Sequence, residues 1–158
     1  MITDLAAVVW KKIPFRLRSG IIRVTQARFT VSAAVVIVNE DDKVLILEHR
    51  IRPNSGWGLP GGFLEHGEQP DEGIRREIRE ETGLELWDLK MLRVRTVRKH
   101  LEILYRARTS GSPEIKSREI KGFDWFAVGE LPPSMNRAQT TFIEQVLIGE
   151  FEKTEAGD

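Results

Sequence analysis

The sequence contains no cysteine. Disulfides, thiolate metal sites and a cysteine nucleophile are thereby excluded, and a reducing, cytoplasmic setting is expected. Long hydrophobic runs are missing too. Apolar stretches such as Val31–Val38 and Val44–Leu47 are far shorter than a bilayer span requires. No charged segment followed by an apolar one opens the chain, so no signal peptide is expected. Net charge is also absent, because 24 basic side chains balance 24 acidic ones. A protein that holds nucleic acid by bulk charge is strongly basic. No stable nucleic-acid or membrane partner is therefore expected.

What is present is 158 residues, 41% of them apolar and 30% charged, enough for one domain with its own core. The charge is unevenly placed. Residues 1–28 hold Lys11, Lys12, Arg16, Arg18, Arg23 and Arg28 against Asp4 alone. Residues 4–19 read as a basic amphipathic helix interrupted by Pro14. We therefore divide the chain into a basic helical extension (1–28), a domain (29–150) and a polar tail (151–158).

Within the domain, 29–39 and 43–50 read as strands joined by the turn Asn39-Glu40-Asp41-Asp42, a hairpin. Residues 53–56 form a loop, and 57–64 are at best a short irregular strand around Pro60-Gly61-Gly62. Pro70–Thr82 reads as a helix. Proline suits its first position, Asp71 and Glu72 suit its positive end, and Gly83 stops it. Gln69 is a poor cap, and Gly73 costs about 1 kcal/mol relative to alanine. Residues 88–98, 100–108 and 122–128 read as further strands, and about 137–150 as a last helix. Mixed strands and helices of this kind predict an α/β layered domain.

Glu77, Glu80 and Glu81 lie at i, i+3 and i+4, so a helix places them on one face. Oxygen ligands of this kind suit Mg2+ or Mn2+, and the negative end of the helix favours a cation there. Arg76, four residues before Glu80, is placed to hold that carboxylate with a bidentate pair. Taken alone, Glu77-Ile78-Arg79-Glu80-Glu81 is an ordinary solvated helix face.

The surroundings change that reading. Gly62, five residues, Glu68, seven residues, then Arg76-Glu77-Ile78-Arg79-Glu80-Glu81-Thr82-Gly83-Leu84 resembles the box of the Nudix hydrolases at every defining position. The resemblance implies an α/β/α sandwich with a mixed sheet and a loop–helix–loop catalytic motif. It implies hydrolysis of a diphosphate bond in a compound built on a nucleoside diphosphate, by water activated on Mg2+, or Mn2+ in its place. Position by position, it makes Glu80 and Glu81 metal ligands and Glu77 a ligand or base. Glu68 becomes a supporting acid or a ligand through water. A carbonyl of Gly61 or Gly62 completes the site, and Arg76 orients Glu80. Glu119, which begins a Glu-x5-Trp segment ending at Trp125, is either a further carboxylate of the site or an exposed acid in a charged loop. Gln69 and Gly73 depart from the usual box residues without touching a ligand.

For substrate, the resemblance offers less. The proline and tyrosine that mark the ADP-ribose and dinucleoside polyphosphate classes are both absent near Val97–Glu102. Isopentenyl diphosphate isomerases share the fold but need a cysteine. A nucleoside triphosphate or nucleotide sugar is what remains, with 5′-triphosphate RNA as the alternative. His49, Arg50 and Arg52 are candidates for phosphate contacts. Trp57 either stacks a base or belongs to the core. Asn136 either reads a base or caps the last helix. A homodimer is expected from the family. A binding module that had lost catalysis would lack a box carboxylate, and here all are present.

Overall fold

The computed structural model describes residues 2–51 and 56–149, so Arg52, most of the 53–56 loop and the 151–158 tail lie outside the described residues. The chain divides into two units between Thr30 and Val31. The first holds two helices, α1 (Ile2–Lys12) and α2 (Phe15–Thr25). The single interrupted helix expected over 4–19 is thus a pair, and the second member runs on to Thr25. Pro14 separates them: its extended ψ of 144° breaks the first helix, while its carbonyl accepts from Leu17 and Arg18 and starts the second. Arg28 then closes α2 by donating to the Arg23 carbonyl at 3.2 Å and 3.3 Å.

From Val31 onward the protein is an α/β sandwich around a mixed sheet. Its strands are β1 (Thr30–Val38), β2 (Val44–His49), β3 (Trp57–Gly58), β4 (Gly61–Phe63), β5 (Trp87–Val97), β6 (His100–Arg108) and β7 (Ile120–Phe126). Their helices are α3 (Pro70–Thr82) and α4 (Arg137–Leu147). The final helix ends three residues before the expected boundary, at Ile148 and Gly149, where Gly149 has φ 74°.

The central strands are apolar at almost every position because both of their faces are covered. Ala33, Val35 and Ile37 of β1, with Leu45 and Leu47 of β2, pack against Ile74 and Ile78 of α3. Their neighbours Ala34, Val36, Val38, Val44 and Ile46 point the other way, onto Phe142, Ile143 and Val146 of α4. Burying Ile74 and Ile78 completely stabilises the helix on the sheet by about 2 kcal/mol each. That anchoring fixes the direction in which α3 presents its acidic face.

The predicted β1–β2 hairpin is present but splayed. Its turn is held by the Asn39 side chain, which accepts from the backbone of Asp41 (3.0 Å) and Lys43 (2.9 Å), an arrangement favoured by Asn in turns. Beyond Val38↔Val44, the segment Trp57–Phe63 wedges in. β3 pairs with Leu47 and Glu48 of β2, while β4 pairs with Ser32–Ala34 of β1. Pro60 accepts from Val35 at 3.1 Å at the apex of this wedge. β2 takes its long partner, β7, on the opposite edge. The glycine-rich segment predicted to be barely a strand is therefore two short strands that split the sheet open.

Candidate active site

The helix α3 is built to carry charge at a fixed place. Glu72 accepts from the Gln69 backbone N–H at 3.4 Å, which compensates for the weak cap. Gly83 ends the helix with φ 71° and donates to the Arg79 carbonyl at 3.0 Å. Gly73 is buried in the helix, and a Cβ there would lie 2.4 Å from Leu64 and 2.9 Å from a Glu68 oxygen. The glycine's helix-weakening cost is thus met by the close approach of the loop that carries Glu68.

Glu77 and Glu81 reach β4 because Gly61 and Gly62 of that strand lack side chains. Glu81 is 7% exposed and accepts from the Gly61 N–H at 3.2 Å. Glu77 lies so close to Gly62 that a Cβ there would sit 2.4 Å from its carboxyl carbon. At Gly61, φ is 135° and a Cβ would fall 2.2 Å from the Ala33 carbonyl oxygen. Neither glycine can carry a side chain without moving a carboxylate or a strand. Glu80, one turn on from Glu77, is the open member, with its side chain 60% exposed.

Arg76 behaves differently from the expectation. Its bidentate fork grips Glu68, through Nε at 2.7 Å and a second nitrogen at 3.0 Å. It also reaches Glu77 at 2.9 Å and the Phe63 carbonyl at 3.3 Å. Its contact with Glu80 is longer than those with Glu68 and Glu77, at 3.4 Å. The reason is exposure: the Glu68 side chain is 13% exposed and held in place by the Glu65 N–H, whereas Glu80 is largely solvated. The guanidinium keeps the Glu68 carboxyl down at a pKa of about 2. Burial pushes the Glu77 carboxyl up, with Arg76 pulling it partly back and the charges of Glu80 and Glu68 adding to the rise.

Glu119 joins this site from a distant part of the chain. The loop after β6 hooks over the end of α3, where the last carbonyls lack helical partners. Glu114 donates to the Thr82 carbonyl at 2.9 Å and Lys116 to the Glu81 carbonyl at 3.1 Å. Arg50 then donates its backbone N–H to the Glu119 carbonyl at 2.8 Å. As a result Glu77, Glu80, Glu81 and Glu119 line one cavity of about 560 Å³, with Gly61, Gly62, Phe63, His49, Ile51 and Ser117. His49 is therefore at the site. The exposed Arg50 side chain is not part of the lining.

A second cavity of about 600 Å³ shares the wall Gly61–Phe63 with the first. Trp57 and Asn136 both line it. Each also does the work of the simpler alternative. Trp57 packs edge-on to Phe126 at 5.7 Å in the α4-side core, and Asn136 caps α4 by accepting from Ala138 at 2.9 Å. Sequence reasoning missed Ser32, Arg95, His100, Glu102, Ser134 and Gln139, which complete the polar lining. Arg95 pairs with Glu102 across β5 and β6, and Ser32 Oγ hydrogen-bonds His100 Nε2 at 2.9 Å. The pairing of β4 with Ser32–Ala34 sets Ser32 beside the box glycines.

The acidic cavity has the donor chemistry for a hard divalent cation. Its lining holds four carboxylates and neither lysine nor arginine; Arg76 pairs with Glu77 and Glu80 without joining that lining, and the excess of negative charge favours a bound cation. Among the described residues no three acids or histidines are drawn into a closed ligand array.

Comparison with known proteins identifies the family and the fold. The sequence profile of the NUDIX domain matches residues 28–146. A MutT-like protein of Streptomyces ambofaciens is 36% identical over 108 residues, covering 67% of this chain and 69% of that one. An ADP-ribose pyrophosphatase of Methanocaldococcus jannaschii is 47% identical over 49 residues, 30% of this chain and 29% of that one. The crystal structure of a MutT NUDIX hydrolase from Burkholderia pseudomallei superposes with a TM-score of 0.67 at 29% identity, covering 75% of this chain and 98% of the other. The chain belongs to the NUDIX domain family.

Proposed function

We propose that the protein is a Mg2+-dependent hydrolase of a diphosphate linkage in a nucleoside triphosphate or nucleotide sugar. One observation carries the reading: four carboxylates line a cavity that contains no lysine or arginine, next to a polar cavity across a shared glycine wall. A diphosphate entering the first cavity alone would be repelled by those carboxylates. The metal, held by Glu80 and Glu81 with Glu77 and a carbonyl of Gly61 or Gly62, would neutralise the phosphate oxygens and acidify a water molecule.

The chain's own residues supply the rest. Arg76 fixes Glu68 and Glu77 against the loop, so the acidic face is held in place before substrate arrives. Glu77 or Glu119 accepts a proton from the attacking water as the new P–O bond forms and the bond to the bridging oxygen breaks. Glu119 fits that role better, because Glu77 is tied to Arg76 while Glu119 is exposed at the cavity. The polar cavity holds the nucleoside, with Trp57 available for stacking and His49 near the phosphates. The relative named as an ADP-ribose pyrophosphatase matches over less than a third of either chain, which keeps ADP-ribose among the compounds to test. In this reading the enzyme works as a homodimer in the cytoplasm, and a monomeric mass by light scattering would remove the dimer.

The test is product release with and without Mg2+ across nucleoside triphosphates, nucleotide sugars, ADP-ribose and 5′-triphosphate RNA. Turnover of a triphosphate or nucleotide sugar that needs Mg2+ is expected. No metal-dependent cleavage of any of them would overturn the enzyme reading.

A further inference from the structure

The first unit, Met1–Thr30, has properties that the catalytic reading leaves unused. Six basic side chains stand against Asp4, and the next acidic residue after it is Glu40. The unit is rich in large apolar side chains, and these are exposed: Val8, Val9, Trp10, Phe15, Leu17, Ile21, Ile22 and Val24. Phe15 is 76% and Val24 83% exposed, and α2 buries none of its residues. Two 11-residue helices, the second of which buries none of its residues, are too short to be stable in water on propensity alone. Exposed apolar surface on this scale marks an interaction site.

The charge narrows the occupant. RNA would use the cations but gives Phe15, Leu17 and Val24 no partner, since phosphate contacts are polar. A second copy of the same unit would bring six more cations against these six, a like-charge contact. An anionic bilayer surface satisfies both features, because basic side chains meet the headgroups while Trp, Phe and aliphatic side chains enter the acyl boundary. Among the described residues no helix is long and apolar enough to cross a membrane, so the contact is a surface one. We propose that residues 1–28 form an anionic-lipid-binding surface that places this hydrolase at a membrane.

The experiment is co-sedimentation of the full chain with vesicles of neutral phosphatidylcholine, or of phosphatidylcholine with phosphatidylglycerol. Binding is expected to the anionic vesicles only and to weaken as salt is raised. Lys11→Glu with Lys12→Glu should lower the partition at least about tenfold. Phe15→Ser with Val24→Ser should lower it as well, each pair with thermal melts and hydrolysis unchanged. Absence of binding to anionic vesicles at low salt would overturn the proposal. So would equal binding to neutral vesicles, or RNA binding in place of vesicle binding.

Discussion

Replacing Gly62 with alanine adds one methyl group in contact with a single functional side chain. That Cβ would lie 2.4 Å from the Glu77 carboxyl carbon and 2.5 Å and 2.7 Å from its oxygens. Ordinary carbon contacts need about 3.5–4.0 Å, so the carboxylate must retreat by roughly 1 Å. Retreat stretches the 2.9 Å bond from Arg76 and shifts a group facing the acidic cavity. A displacement of that size at a reacting centre costs about a hundredfold in rate. Overpacking costs folding about 1–3 kcal/mol, which a domain with two fully buried core layers tolerates. The assay is steady-state product release under saturating Mg2+, paired with a thermal melt. A folded Gly62→Ala protein that turns over within about threefold of wild type would refute the claim that Glu77 must sit against a bare backbone.

Two further outcomes follow from the same geometry. Glu119→Gln should lower turnover at least about tenfold with little change in the melt; turnover like wild type would remove Glu119 from the chemistry. Glu68 has a folded pKa of about 2 against an ordinary value of 4.5. Its pairing with Arg76 therefore stabilises fully above about pH 4.5 and is lost as the pH falls toward 2. Melts between pH 6 and pH 2 should fall more steeply for wild type than for Glu68→Gln, and parallel curves would contradict the pairing.

The box was legible because its information is local. Gly62 through Leu84 is one continuous stretch, and helical spacing alone puts Glu77, Glu80 and Glu81 on one face. β1 and β2 were legible as a strand pair for a similar reason, since two apolar runs flank the turn Asn39–Asp42. The wedge was not. Nothing in Trp57–Phe63 says that one half pairs with β2 and the other with β1, because that choice is set by strand partners far along the chain. Ser32, Arg95, His100 and Glu102 share a cavity lining with Gly61 and Gly62. These read in sequence as ordinary strand polar positions.

Arg76 shows the limit of spacing arguments on a helix. Four residues to Glu80 suggested that pair, but the better partner for a planar fork was the less exposed Glu68, folded back across a loop. Glu119, 38 positions beyond Glu81 in the numbering, reached the cavity only because backbone carbonyls at the end of α3 capture the loop that carries it.

The central claim is that the acidic cavity holds a divalent cation on which hydrolysis depends. Its most direct measurement is turnover as a function of Mg2+ concentration for wild type and Glu80→Gln, with EDTA as the control. Glu80 is largely solvated, so the substitution leaves the fold and its melt unchanged. Wild-type turnover should rise saturably with Mg2+ and vanish in EDTA, and Glu80→Gln should lose at least about a hundredfold in rate or metal affinity. Turnover that survives EDTA, or a Glu80→Gln titration that overlays the wild-type curve, would contradict the account.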